Sequence, residues 1–368
     1  MPQIRSKTPG SKILVRATNW LGDAVMSLPA VRAIREAFPN SRLAVVARPW
    51  VADLYARESA IDEVMLYQPR GWADRREFWA RLRRERFNCA ILFQNAFDAA
   101  LMGWMAGIPA RIGYGLDGRG CLLTTSVAVP EPGDIPRHER FYYLEMLRRA
   151  KLIGDEQYFR VGVQDIQMEG IAAAQTSGAR RLAAMGMGGD VIGISPGAAY
   201  GNAKRWLPER FAEAGMEICS RLANTGLRPG VLVFGSAAER PLCEQVAAGI
   251  GCAIRVRNLA GETSLREFID LAAACRLFLT NDSGAMHVAS ALGVPTVAIF
   301  GATDDATTGP VGPCARVVRE RAECSPCLLR ECPIDHRCMI RVSVEVVVGA
   351  ALQLWEESTV RWTHEARS

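Results

Sequence analysis

Short apolar runs alternate along the chain with longer stretches in which apolar residues recur at helical spacing. The short runs predict buried strands, and the recurring pattern predicts helices that pack through one face. In the first half, we predict strands at 12–17, 42–47, 63–67 and 88–94 and helices at 24–38, 50–58, 74–86 and 97–106. In the second half, we predict strands at 190–195, 230–235, 254–258, 276–280 and 294–299 and helices at 207–223, 238–250, 264–275 and 284–292.

This alternation of strands and helices predicts parallel sheets that are covered by helices on both faces. Because both halves show it, we expect an α/β protein with two doubly wound domains. A polar helix ending in a glycine cluster near 160–188 separates the halves, so the expected domains are 1–165 and 166–342. A last helix and tail, 343–368, could pack back on the first domain. In such sheets, ligands bind at the carboxyl ends of the strands.

The composition fits a folded protein with two domains: 368 residues, of which 49% are hydrophobic and 23% are charged. The N-terminal segment is polar, and no apolar run approaches the ~20 residues of a membrane span. We therefore expect a cytoplasmic protein whose 11 cysteines are reduced. Residues 1–165 hold 24 Lys and Arg against 18 Asp and Glu, which predicts an anionic partner for this half.

The first candidate site follows the first predicted strand, in the segment from Trp20 to Ala24. Gly22 allows a tight turn, and Asp23 opens the next helix. Asp is a favoured helix N-cap, so a cap and a catalytic carboxylate are both open interpretations of Asp23. The dinucleotide pattern GxGxxG is missing from this turn.

The second candidate is the loop 195–206, which follows the first strand of the second domain. Gly197 and Gly201 let the backbone approach a ligand, while Lys204 and Arg205 add positive charge. This chemistry suits phosphate groups. A basic surface loop is the alternative, since the P-loop pattern is absent.

A third candidate lies between a strand and a helix at residues 280–287. Ser283 and Gly284 would leave helix N–H groups facing an anion, and the helix dipole would assist. Asp282 could instead cap the helix. A lone histidine such as His287 is usually structural.

A fourth strand-end loop carries Ser236 and Glu239. Glu239 could accept hydrogen bonds from ribose hydroxyls, as acidic residues do in nucleotide sites. It could equally be a first-turn acid that the helix dipole favours.

Four cysteines lie close together after the last predicted strand, namely Cys324, Cys327, Cys332 and Cys338. Their spacing permits a structural zinc site, although inert or oxidised thiols are the preferred interpretation. We expect this cluster to lie apart from the four loops and to be dispensable for chemistry.

The run 75–86 is rich in arginine and contains Phe78, Trp79 and Leu82. It predicts an amphipathic helix whose basic side is either solvated or in contact with anionic lipid. No nucleic-acid motif accompanies it, so nucleic acid is not an expected partner.

Three ordered segments resemble the ADP-heptose:lipopolysaccharide heptosyltransferase family, glycosyltransferase family 9. They are WLGDAVMSLPAVRAIREAFP, PGAAYGNAKRW and NLAGETSLREFIDLAAACRLFLTNDSGAMHVASALGVP, and QNAFDAALMGWMAGIPARIGYG is also similar. The middle segment and NLAGET look most like the heptosyltransferase II branch. The cysteine cluster and the longer N-terminal extension are less typical. The resemblance covers nearly the whole chain and implies a GT-B fold, with two Rossmann-like domains facing a central cleft.

The resemblance implies an inverting transferase that needs no metal or other cofactor, since no DxD motif is present. The donor would be ADP-L-glycero-D-manno-heptose, bound by the second domain. The acceptor would be the lipid A–Kdo–heptose of lipopolysaccharide, met by the first domain at the cytoplasmic face of the inner membrane. A different core or protein acceptor, or a non-catalytic sugar-nucleotide-binding module, remains an alternative.

Individual roles also follow from the resemblance. Asp23 matches the family's general base, and Lys204 matches the lysine that contacts the donor phosphates. The expected donor-binding residues are Gly197, Tyr200, Gly201, Lys204, Arg205, Ser236, Glu239, Asp282, Ser283, Gly284 and His287. The expected acceptor-binding residues are Asn19, Trp20, Gly22 and Asn95.

Overall fold

The computed structural model describes residues 11–312 and 314–365. The N-terminal extension, from which we expect no export signal, and the last three residues of the tail lie outside the described residues. The chain divides after Gln164 into two compact units. Within the described residues, none of the helices combines the length and apolar character that a bilayer span requires.

The first unit contains, in chain order, β1 (Lys12–Arg16), α1 (Leu21–Met26), α2 (Leu28–Ala37), β2 (Arg42–Ala47), α3 (Pro49–Tyr55), β3 (Glu63–Leu66), α4 (Trp72–Glu85), β4 (Cys89–Leu92), α5 (Phe97–Met105), β5 (Ala110–Tyr114), β6 (Thr125–Val127), α6 (Arg140–Arg149) and α7 (Asp155–Gly162). Its strands form one sheet in the order β3-β2-β1-β4-β5-β6. All neighbours are parallel, with Leu14 of β1 level with Ala44 on one side and Ala90 on the other. These central strands are buried, as their apolar runs predict.

The second unit contains α8 (Ile171–Ala184), β7 (Val191–Ser195), α9 (Pro208–Ala223), β8 (Gly230–Val233), α10 (Arg240–Ile250), β9 (Val256–Asn258), α11 (Leu265–Ala273), β10 (Leu277–Asn281), α12 (Gly284–Ala291), β11 (Thr296–Phe300), α13 (Asp305–Thr308), β12 (Ala315–Arg319), α14 (Arg337–Ile340) and α15 (Val344–Glu365). Its parallel strands run in the order β12-β11-β10-β7-β8-β9, so this unit repeats the topology of the first. The strand order reverses between β1 and β4 and again between β7 and β10. Loops after these strands are where such sheets bind ligands.

Two predicted helices differ from the structure. The predicted helix 24–38 is broken at Ser27, because Pro29 has no N–H to continue the hydrogen bonds of α1. The sequence also allowed the last helix to pack back on the first domain; in the structure, Val347, Ala351 and Trp355 bury its apolar face in the core of the second unit. Burying that stripe of side chains is what stabilises a helix of this length.

Candidate active site

Two loops of the second unit meet where its strand order reverses. The loop after β7 carries Lys204, and the turn after β10 carries Asp282. The Lys204 Nζ lies 2.6 Å from the Asp282 Oδ2, and the two side chains are 13% and 4% exposed. Thr303 donates its hydroxyl to the same oxygen at 2.5 Å. This pair brings together two residues that we expect from the sequence to bind the donor.

Asn281 holds the same two loops together from beneath. Its Nδ2 donates to the carbonyl oxygen of Pro196 at 2.7 Å, and its Oδ1 accepts from the backbone N–H of Trp206 at 2.9 Å. Asn281 and Trp206 are fully buried. Hydrogen bonds made inside a protein that satisfy buried polar groups hold a loop rigidly. Asn281 is therefore a positioning residue that the sequence analysis missed.

Tyr200 lies at the outer part of the loop after β7. The Lys204 ammonium is 4.8 Å from the centroid of its ring, within the range of a cation–π contact. The Tyr200 hydroxyl donates to the carbonyl oxygen of Leu328 at 2.8 Å. The expected donor residues Tyr200 and Lys204 thus lie side by side.

Gly197 and Glu239 are also neighbours, although they come from different strand ends. A Cβ atom at Gly197 would lie 2.1 Å from the Glu239 Oε1, so a larger residue there would displace the Glu239 carboxylate. The Glu239 Oε2 accepts from the backbone N–H of Ser236 at 2.9 Å and from its hydroxyl at 2.8 Å. One carboxylate oxygen therefore serves a capping box, while the other faces Gly197. A ribose-binding role for Glu239 stays a prediction.

The start of α12 has the form expected of an anion-binding turn. Ser283 is the N-cap residue, and its side chain accepts no hydrogen bond from the helix. Its hydroxyl instead lies 3.2 Å from that of Thr280. Gly284 is the first helical residue, so Asp282 precedes the cap and is not the cap itself. His287 is buried inside α12.

Arg205 follows Lys204 and is half-buried. Its Nη2 donates to the Ala198 carbonyl oxygen at 3.3 Å. Its Nε is buried and has no hydrogen-bond partner among the described atoms. A buried arginine that is only partly satisfied is suited to binding an anion.

In the first unit, Asp23 is the third residue of α1, and the N-cap position belongs to Trp20. The interpretation of Asp23 as the N-cap is therefore wrong. Burial raises the pKa of both Glu139 and Tyr143, and the charge of the nearby Asp23 carboxylate raises both pKa values further. Glu139 comes just before α6 and carried no signal in the sequence. The role of Asp23 as general base stays a prediction.

The expected acceptor residues flank Asp23 at the ends of β1 and β4. Asn19 accepts from Arg16 through its Oδ1 at 3.1 Å, and its carbonyl oxygen accepts from the indole of Trp50 at 2.8 Å. Trp20 is 51% exposed, and Gly22 is the second residue of α1.

Asn95 follows β4 and is held on two sides. It donates to the Tyr142 hydroxyl at 2.8 Å and accepts from Arg119 at 2.7 Å. Arg119 is fully buried, and burial lowers its pKa. Asn95 is thus part of the framework of this strand end, and an acceptor contact by Asn95 stays a prediction.

Arg16 is a further buried cation that the sequence analysis did not single out. It ends β1, lies beneath Asn19 and is 2% exposed. Burial, with Arg48 nearby, lowers its pKa to about 10.

The cysteine cluster does not lie apart from the donor loops, which corrects our expectation. The backbone N–H of Ala203 donates to the Arg330 carbonyl oxygen at 3.1 Å, and the N–H of Cys332 donates to the Asn202 Oδ1 at 3.2 Å. The segment 324–338 therefore packs directly on the loop that carries Lys204.

All four cysteines of this segment are free thiols, and Cys338 is buried. Across residues 11–312 and 314–365, no three Cys, His, Asp or Glu side chains are grouped so that they could hold a metal ion. The zinc interpretation of the cluster gains no support from the described residues.

The basic run 75–86 forms most of α4. Trp79 and Leu82 are buried in the core of the first unit, and Phe78 packs against it. Its apolar side is therefore occupied by the protein itself. The exposed residues include Arg76 and Arg84, and Trp72 at the start of α4 is 68% exposed.

Comparison with known proteins places these features in a family. The model of glycosyltransferase family 9 (heptosyltransferase) matches residues 75–337. Lipopolysaccharide heptosyltransferase 2 of Salmonella typhimurium is 31% identical over 324 residues, which covers 84% of this chain and 88% of that protein. The protein of the same name from Escherichia coli K12 is 30% identical over 322 residues, with the same coverage.

The solved structure of E. coli ADP-heptose lps heptosyltransferase II is similar to this fold. Its TM-score is 0.78 at 27% identity, and the match covers 95% of this chain and 99% of that one. The expected α/β fold of the GT-B type is confirmed, as is the resemblance on which it rested. The chain therefore belongs to glycosyltransferase family 9, the heptosyltransferase family, and is a glycosyltransferase.

Proposed function

We propose that this protein is an inverting transferase that moves L-glycero-D-manno-heptose from ADP-heptose to the first heptose of the lipopolysaccharide inner core, heptosyl-Kdo2-lipid A. The observation that carries the proposal is the Lys204–Asp282 pair at the strand-order reversal of the second sheet. Relatives named lipopolysaccharide heptosyltransferase 2 support the choice of substrates.

In this proposal the second unit, from about residue 166, binds the donor. The diphosphate lies against Lys204, Arg205 and the first turn of α12, whose N–H groups and dipole favour an anion. As the bond between the sugar and the diphosphate breaks, negative charge grows on the leaving oxygen. Positive groups that are already in place stabilise this charge in the transition state.

The first unit, up to about residue 165, binds the acceptor. Asp23 accepts the proton of the acceptor hydroxyl. The oxygen then attacks the anomeric carbon from the side opposite the diphosphate, which inverts the configuration. Trp20 and Asn19 flank Asp23 at the same strand end and are suited to contact the acceptor sugar.

We also propose that the protein works in the cytoplasm, peripheral to the inner membrane. The acceptor is a phosphorylated lipid, and the first half of the chain carries the excess of positive charge. Because the apolar side of α4 is buried in the core, attachment would be electrostatic, through exposed arginines such as Arg76 and Arg84.

The test is mass spectrometry of the product after incubation of purified protein with ADP-heptose and heptosyl-Kdo2-lipid A. We expect the acceptor mass to increase by one heptose, and NMR should show an inverted anomeric centre. Transfer to Kdo2-lipid A, or to a protein, would identify a different acceptor. Absence of both transfer and ADP binding would contradict the proposal.

A further inference from the structure

We propose that Arg330, which lies in the cysteine-bearing segment 324–338, is a further cation of the donor site, in addition to Lys204 and Arg205, and binds the diphosphate. The inference rests on the proposed function, because it assumes that a nucleotide diphosphate binds at the loop after β7. It gives the segment a role in donor binding, which neither the cysteine spacing nor the loop sequence indicates.

The geometry starts from Tyr200. The Arg330 guanidinium carbon is 5.3 Å from the centroid of the Tyr200 ring, and the Lys204 ammonium is 4.8 Å from the same centroid. Both cations therefore contact the same ring after the end of β7. Contacts of this kind orient a flexible side chain.

The backbone of Arg330 is also fixed against the donor loop. Its carbonyl oxygen accepts from Ala203, and a Cβ atom at Gly201 would come within 2.0 Å of it. Hydrogen bonds from Tyr200 to Leu328 and from Cys332 to Asn202 lie on either side. Only glycine at position 201 permits this close approach. The loop after β7 and the segment 324–338 therefore pack directly against each other.

The charges explain why a cation in addition to Lys204 and Arg205 would strengthen diphosphate binding. Lys204 is already neutralised by Asp282 at 2.6 Å, so it alone leaves little net positive potential for a diphosphate. Arg330, by contrast, has no carboxylate partner in the described part of the chain, and its side chain is exposed. Its neighbours Arg337 and Arg341 both pair with Glu323. An arginine without a carboxylate partner, held at the same aromatic ring as Lys204, is suited to bidentate phosphate contact.

The experiment measures the binding of ADP and of adenosine to wild-type protein and to Arg330→Gln by calorimetry. We expect Arg330→Gln to bind ADP about three- to thirtyfold more weakly and adenosine unchanged, since adenosine has no phosphate. The dependence of ADP affinity on salt concentration should also become less steep. Arg330→Lys should recover part of the lost affinity.

The matched control is Arg337→Gln in the same segment, which should leave both affinities unchanged. Unchanged ADP binding by Arg330→Gln would overturn the proposal. An equal loss for ADP and adenosine would also overturn it, since the segment would then only shape the loop. A wild-type protein that does not bind ADP would instead contradict the proposed function itself.

Discussion

Lys204 and Asp282 are 78 residues apart in the chain, yet the Lys204 Nζ and the Asp282 Oδ2 are separated by 2.6 Å. They meet because β7 and β10 are adjacent and parallel, so that both strands end at the same edge of the sheet. The ion pair is largely buried, and Thr303 completes it. In such a pair, loss of one partner leaves the other as an uncompensated buried charge.

Lys204→Ala should weaken donor binding, because it removes the ammonium group that we propose contacts the diphosphate. A lost charge-assisted contact to phosphate costs about 1.5–3 kcal/mol, which corresponds to a loss of donor affinity of roughly tenfold or more. The Michaelis constant for the acceptor should change little. Steady-state kinetics with each substrate varied in turn would measure both effects.

The control for this variant is Arg221→Ala, which removes an exposed ion pair with Glu217 on α9. Exposed pairs of this kind contribute about 0–1 kcal/mol, so neither substrate constant should change. Donor kinetics of Lys204→Ala that match the control would remove Lys204 from the site.

Most of the fold could be predicted from the sequence, since strongly apolar strands such as β1, β7 and β10 carry a clear signal. β5 and β12 could not, because arginines interrupt their apolar runs: Arg111 in β5, and Arg316 and Arg319 in β12. Those arginines make hydrogen bonds or ion pairs with residues outside their own strands. The β6 strand has only three residues, too few to show alternation.

Of the candidate site, only the residues on loops that directly follow strands could be predicted from the sequence. Motifs located Lys204 and Asp282 on separate loops, and adjacency of the strands brings the loops together. The contact between Tyr200 and Leu328 spans 128 residues and depends on how an irregular segment folds back. Helical and strand periodicity do not predict how an irregular segment folds back. We therefore expected the cysteine segment to lie apart from the donor loops.

Glu139→Gln should stabilise the protein at neutral pH more than at acidic pH. Burial, and secondarily the charge of Asp23, raises the pKa of Glu139. Above about pH 4.5 the unfolded chain has lost this proton while the folded protein still holds it, so folding stability falls as the pH rises through this window. Glutamine removes the penalty, and thermal melts at pH 4 and pH 7 would show the difference.

Glu77→Gln on the exposed side of α4 is the matched control. It should change the melting temperature by a similar small amount at both pH values. If Glu139→Gln behaves as the control does, the surroundings of Glu139 do not disfavour its ionised form.

Cys338 should resist alkylation. Its burial, together with the neighbouring thiols Cys324, Cys327 and Cys332, raises its pKa, so less of the reactive thiolate is present at neutral pH. Peptide mapping after treatment with iodoacetamide at pH 7.5 should find the exposed Cys121 labelled before Cys338. Labelling of Cys338 at the same rate as Cys121 would show that the pKa of Cys338 is not raised.

Metal analysis of freshly purified protein would test whether the cysteine segment 324–338 holds a metal ion. We expect catalysis to persist in the presence of a chelator, since the candidate donor and base groups are Lys204, Asp282 and Asp23. Stoichiometric zinc together with loss of activity on chelation would show that the inert interpretation of the thiols is wrong.

The Asp23→Asn variant distinguishes a role of Asp23 in catalysis from a role in folding. Because the N-cap of α1 is Trp20, the Asp23 side chain is not required as a cap. Its charge in the first turn contributes only about 0.3–1 kcal/mol through the helix dipole, so the melting temperature should change little. Asparagine cannot accept a proton, however. If Asp23 is the base, kcat should fall by roughly 10²–10⁴-fold.

Donor affinity gives the second half of this test, because the residues proposed to bind ADP-heptose all belong to the second unit. Calorimetry with ADP should therefore give the same affinity for Asp23→Asn as for the wild type. Asp53→Asn in α3 is the matched carboxylate control in the same unit, and its turnover should remain near normal. A folded Asp23→Asn protein with normal turnover would exclude proton transfer to Asp23. A loss of ADP affinity would mean instead that Asp23 acts on donor binding, because a base that serves only the acceptor hydroxyl has no effect on the free energy of nucleotide binding.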